Sequence, residues 1–199
     1  VSRTPARAAL AQLAEEGLLE RRETSGYAVK AYSTQDIFQA IEIRGVLEGL
    51  AARYAAERAV PAALLMQMRA CVTELDAVVG NLGVESDQSD YARLNDSFHG
   101  LLIEASGSEM VARSLERIKA LPFAAPNAFV QSLALDHESV RKSLIIAQEQ
   151  HRSIVDAISR GHGARAQALA HEHSFCAARY LELLYAHNQP IPWVARTRD

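Results

Sequence analysis

The sequence predicts an all-α protein with one small β-wing. Three observations carry this. Apolar residues recur at helical spacing from residue 33 almost to the end. Aromatics make up only 6% while alanine and leucine abound, a balance that favours helices over sheets. The one stretch with strand character, 18–30, is short and folds about a tight turn at Ser25-Gly26.

The elements follow in order. Ser2 is a good N-cap, Pro5 suits a first helical turn, and Ala6, Leu10, Leu13 and Ala14 repeat at helical spacing until Gly17 ends the helix. Two extended stretches flank Ser25-Gly26 and read as a hairpin. Ser33 or Thr34 can cap a helix carrying Ile37, Ile41, Arg44, Leu47, Glu48 and Ala51 towards Arg58. Pro61 opens the next, through Leu64, Met68, Val72 and Leu75 to Gly80. A third bundle helix starts around 86–89 and closes at Ser106-Gly107, and a shorter one covers 109–120. Pro122 and Pro126 break the chain. A long helix over 136–160, a break at Gly161 and Gly163, and a last helix over 164–185 complete the bundle. The tail HNQPIPWVARTRD, with two prolines, reads as irregular. Two parts result: a helix and hairpin over 1–32, and an antiparallel bundle of roughly six helices over 33–199, long enough to bury its own core.

Composition narrows the function classes. Hydrophobic residues are 49% and charged residues 23%, an ordinary globular balance. Net charge is -3, so any contact with nucleic acid must come from a local basic patch. Cys71 and Cys176 cannot make a disulfide framework and are not spaced as a zinc ribbon. No apolar run is long enough to span a bilayer, and the first residues show no apolar signal core. The expected location is therefore cytoplasmic, with no membrane partner.

A helix followed at once by a two-stranded wing suits the second half of a winged helix-turn-helix, whose recognition helix enters the major groove. Here that helix would open with Ser2, Arg3, Thr4 and Arg7. Arg3 and Arg7 lie four apart on one face, and a guanidinium can grip guanine edges or phosphate bidentately. The hydroxyls of Ser2 and Thr4 and the free backbone amides of the helix start suit phosphates. Gly26 lets the hairpin tip approach the backbone of DNA closely. The same pattern also describes a helix and hairpin that merely pack on the bundle.

Residues 1–33, VSRTPARAALAQLAEEGLLERRETSGYAVKAYS, resemble the recognition helix and wing of GntR-family transcription regulators, whose motif reads approximately VSRTPVREALRRLEAEGLV before a basic, glycine-containing wing. The resemblance assigns Ser2, Arg3, Thr4, Arg7 and Gly26 to DNA. Ala8 stands where that family usually has glutamate. Val1 falls in mid-motif, so the match implies a truncated winged helix, without the two helices that precede the motif in the family.

Among the seven histidines, three invite a metal reading. His99 lies four residues after Asn95, so both project from one helical face, with Asp96 near it. His151 and His173 flank the Gly161–Gly163 break at registers that can oppose one another across two antiparallel helices. Together these residues could form a four-ligand cup inside a bundle. Helix-face histidines with ordinary hydrogen-bond partners fit the same spacing.

Three further stretches are similar to the FadR-subfamily C-terminal domain, called FCD. They are DIFQAIEIRGVLEGLAARYAAERA, with the R-x-x-L-E element at Arg44, Leu47 and Glu48; LNDSFHGLLIEASG; and QEQHRSIVDAISRGHGARAQALAHEH. The resemblance implies an FCD-like helical bundle in which Asn95, His99, His151 and His173 hold a divalent ion of the zinc, nickel or manganese class. It also places Arg44 beside a small organic acid effector, whose carboxylate would displace metal-bound water. A homodimer on a palindromic operator would follow. Asn95 replaces the usual aspartate, which removes a negative charge from the site. Ser108 stands where asparagine is common, and the stretch 121–149 is longer than usual and either caps the pocket or meets a second copy. For Arg44 the plain alternative is an i to i+4 salt bridge with Glu48, worth about 0.3–0.5 kcal/mol if exposed. Two other functions fit the pattern: a metal-dependent hydrolase on a helical bundle, disfavoured because no additional base stands out, and a ligand-free helical dimerisation module.

Overall fold

The first helix and the hairpin stand apart in character from everything after them. In the computed structural model, which describes residues 2–82, 88–121, 123–128 and 137–186, α1 (Arg3–Glu15) buries no residue, and Leu10 and Leu13 are exposed. Ser2 occupies its N-cap with extended backbone, but its hydroxyl makes no capping hydrogen bond. At the other end the Leu18 amide reaches back to the Leu13 carbonyl and Gly17 to Ala14, which satisfies the last free carbonyls. Strands β1 (Leu19–Arg21) and β2 (Tyr27–Val29) then pair antiparallel, Leu19 opposite Val29 and Arg21 opposite Tyr27. Gly26 sits at their exposed tip with φ of +86°, where a side chain would be strained.

Tyr32 joins this module to the bundle. Its hydroxyl donates to the Gly17 carbonyl, and its ring packs edge-on against Phe123 at 4.6 Å between centroids.

The bundle begins at Ser33, whose side chain and Asp36 form a reciprocal capping box for α2 (Thr34–Arg58). Four helices follow as α3 (Ala62–Gly80), α4 (Ser89–Ser106), α5 (Glu109–Lys119) and α6 (His137–Ser159), and α7 (Gly163–Ala186) closes the set. Arg58 donates to the Ser106 carbonyl at 2.7 Å and so caps α4 from a distant helix. Ser108 accepts from the Val111 amide and caps α5. The core is built from Ile37, Ile41, Met68, Leu75, Phe98, Leu102, Leu115, Ile154, Leu181 and Leu184.

The packing of α2 on α7 is unusually close. Ala51, Ala52, Ala55 and Ala56 give α2 a smooth buried face. At Gly45 a Cβ would fall 2.1 Å from Ser174 Oγ and 2.7 Å from its Cβ. Only glycine lets the two backbones meet there. This contact fixes α7 against the helix that carries Arg44 and Glu48. The expected tail over 187–199 and the residues 129–136 lie outside the described residues.

Candidate metal centre

Four helices deliver side chains to one buried point. Helix α4 presents Asn95 and His99 one turn apart, with the fully buried Phe98 between them. Helix α6 supplies His151, α7 supplies His173, and α2 supplies Arg44 and Glu48, all buried. Ring nitrogens of His99, His151 and His173 lie within 4.8 Å of one another. His171 is not part of the group; it faces α2 near Gly45. Asp96 is exposed, so of these two neighbours it is Asn95 that faces inwards.

The proton position on the His151 ring follows from its neighbours. Gln148 donates its amide N–H to the Val72 carbonyl at 2.8 Å and to the Asp76 carboxylate. Its oxygen must therefore face His151 Nδ1, 3.0 Å away, and that nitrogen carries the hydrogen. His173 Nδ1 likewise faces Gln150 Oε1 at 3.0 Å. The same oxygen accepts from the Cys176 thiol at 3.1 Å; burial, then the nearby Glu172, pushes that thiol up to about 11, so it keeps its proton. With the Gln150 amide in this orientation and both Nδ1 atoms protonated, the two Nε2 atoms are lone pairs that face each other at 2.9 Å; with Gln150 turned over they would share one N–H···N hydrogen bond instead. Two lone pairs at that distance repel unless a cation lies between them. Two imidazole nitrogens bound at right angles to one ion, each ~2.1 Å from it, would sit about 3 Å apart. The donor set thus fits a divalent ion.

Neither ring readily becomes that cation itself. Burial, and then the charges of the neighbouring histidines, hold His151 well below its usual range. Burial and His99 push His173 down to about 3, with Glu48 opposing and Arg44 assisting.

Glu48 anchors the other side. Its Oε1 lies 3.0 Å from His99 Nδ1, in contact but at an angle too bent for a well-formed hydrogen bond. Its Oε2 accepts from Arg44 Nη1 at 3.1 Å. Burial alone would raise the Glu48 carboxyl, but Arg44 and then His99 outweigh it and hold the group well below the usual carboxylate range. The Arg44–Glu48 pair is therefore a buried ion pair, and the Arg44 Nε still lacks a partner. Arg44, Asn95, His99 and His173 line one cavity of about 40 Å³ with Tyr91 and Tyr180. The Tyr180 hydroxyl and the Asn95 Oδ1 are also buried without partners. From the stretch after α5, Pro126 lines the same cavity and Asn127 hydrogen-bonds Asn95, so its described part covers the pocket.

Sequence reasoning did not find Gln148, Gln150 or Asn127, and it weighed Glu48 only as a partner for Arg44. Gln148 was within reach, since it lies three residues before His151 on the same helical face. Asn127 had no local signal. The residues assigned to DNA lie elsewhere: Ser2, Arg3, Thr4, Arg7 and Gly26 are all exposed, on the first turns of α1 and at the hairpin tip.

Residues 39–174 match the family model of the FCD domain. The transcriptional repressor RspR of Escherichia coli is 26% identical over 174 residues, covering 87% of this chain and 70% of that protein. The probable D-xylose utilization operon transcriptional repressor of Paenarthrobacter nicotinovorans is 29% identical over 171 residues, 85% of this chain and 69% of the relative. Among solved structures, E. coli McbR/YncC superposes with a TM-score of 0.68 at 15% identity, covering 95% of this chain and 82% of that one. A Streptococcus agalactiae GntR protein gives 0.52 at 21% identity, covering 90% and 82%. Among the described residues no helix is long and apolar enough to cross a membrane.

Proposed function

The chain belongs to the FCD domain family of GntR-type transcription regulators, and from that premise we propose that its bundle senses a small carboxylate at a divalent metal ion and relays the outcome to a DNA-reading α1 and hairpin. It is a regulator and not an enzyme. Its site of action on this reading is a cytoplasmic operator.

The observation that carries the sensor half is the pair of facing Nε2 lone pairs on His151 and His173. These two atoms, a ring nitrogen of His99 and the oxygen of Asn95 would hold the ion. When bound, the ion would offer an acidic coordination position for an effector oxygen. Gln148 and Gln150 keep their histidines in the tautomer that presents Nε2. Glu48 offsets positive charge beside His99 and holds Arg44 in place. The spare Arg44 Nε and the Tyr180 hydroxyl are donors waiting for an acceptor, which suits a carboxylate. A cavity of about 40 Å³ beside these donors has room for roughly three waters, or for the carboxylate group of an effector.

The DNA half rests on Ser2, Arg3, Thr4, Arg7 and Gly26 being free to meet a partner. Effector binding can alter operator affinity only by favouring one arrangement of two DNA-reading halves, which requires a homodimer and a palindromic operator. The coupling needed is ~1–3 kcal/mol. Elemental analysis and nickel titration of the purified chain and of His151→Ala test the sensor half. The native chain should carry close to one ion per protomer and the variant far less. Equal metal in both, or none in the native chain, would overturn it.

A further inference from the structure

We propose that Asn127 is a positioning residue: it turns the side-chain amide of Asn95 so that the oxygen, and not the NH2, faces the three histidines. The inference rests on the metal reading above for its purpose, but its geometry stands independently.

A carboxylate can offer either of its oxygens to a cation. A carboxamide cannot, because half of its rotations aim an N–H at the site. An asparagine ligand therefore needs something to choose its rotamer. The choice here is made by a short chain of hydrogen bonds that begins at a group with a single role. The Ala92 carbonyl can only accept, so the group 2.7 Å from it on Asn127 must be Nδ2. The Asn127 oxygen is thereby directed the other way, to a point 2.9 Å from Asn95 Nδ2. That contact occupies the Asn95 NH2. It leaves Asn95 Oδ1 turned into the cavity, buried and without a partner in the protein. Such an oxygen is stabilised only by what enters the cavity.

Asn127 reaches this position from 32 residues away, on the stretch between α5 and α6. Asn95 lies on α4 three residues after Ala92, so the loop grips two consecutive turns of one helix. In this chain the carboxamide at residue 95 and the loop asparagine form one device. The loop supplies the orientation that a carboxylate would not need.

The test is a double-mutant cycle on the full chain with Asn127→Ala, Asn95→Asp and the double variant, using nickel(II) as the probe, together with side-chain amide NMR on the metal-free protein. Asn127→Ala should weaken nickel binding roughly 10-fold or more. In the Asn95→Asp background the same change should cost roughly threefold or less, because either carboxylate oxygen can ligate. In the metal-free native protein the Asn95 NH2 protons should show contacts to Asn127 and slow exchange, and Asn127→Ala should abolish both. Equal losses in the two backgrounds would reduce Asn127 to a loop anchor and overturn the proposal, as would no loss at all. An Asn95 NH2 seen facing His99 would overturn it without any metal present. Failure of the native chain to bind nickel, with the Asn95 NH2 still on Asn127, would sink the metal reading and leave the orientation supported.

Discussion

The amino-terminal module and the bundle interior use polar groups in opposite ways. On α1 every residue is at least partly exposed, and Arg3 and Arg7 sit in water as monopoles held by a single helix. Around His151 the polar groups of the site itself are buried, Gln148, His173, His99, Asn95, Arg44 and Glu48 among them, and several are orientated by a partner from another element. The Arg152–Asp76–Gln148–His151–His173–Gln150–Cys176 chain runs from the surface to the core and out to the cavity wall. An exposed donor needs only to be on the right face, because water satisfies it until a partner arrives. A buried one must have its tautomer and rotamer chosen in advance, because an unmet partner costs about 1–3 kcal/mol there.

This contrast can be broken experimentally. The largest expected effect is on α1. Arg7→Ala in the whole regulator should lose ~1–3 kcal/mol of operator affinity, roughly 5- to 160-fold, with the thermal midpoint unchanged. A titration at fixed salt in which affinity stays the same would show that α1 does not read the groove. Next comes the helix contact that holds the interior together. Gly45→Ala pushes a Cβ against Ser174 and should cost about 1–3 kcal/mol of stability in chemical denaturation. A variant as stable as the native chain would mean α7 can move off α2 freely.

The smallest effect sharpens the electrostatic side. In the unfolded chain His173 binds a proton near pH 6.5, whereas in the metal-free fold it does so only near 3. Between those values the unfolded state holds more protons, so stability is full above about pH 6.5 and falls as the solution is acidified towards 3. Melting of the metal-free protein between pH 7 and 5 should show that decline, and His173→Phe should make it shallower, the remainder coming from His151, which burial also holds well below its usual range. An unchanged midpoint over that range in the native chain would show that His173 is not buried as a neutral ring.

Much of the fold was legible in the sequence. The helix boundaries follow from Ser33, Pro61, Gly107 and Gly161, and the hairpin follows from Ser25-Gly26, because caps and turns are decided by a few adjacent residues. The pairing of Asn95 with His99 on one face was equally local. Helical rise and the turn between two helices made an opposition of His151 and His173 possible, and the FCD resemblance selected it.

What the sequence determined by itself, then, was which residues sit on which face of which helix, since that depends on backbone periodicity within a few turns. Only the tertiary structure decided that Glu48 abuts His99, that Gln148 is held by Val72 and Asp76 so that it fixes His151, and that Asn127 sets Asn95. The physical reason is that amide orientation and imidazole tautomer are set by groups 30 to 80 positions away or on other helices. No periodicity in the chain encodes which atom of a side chain will point inwards once those groups arrive.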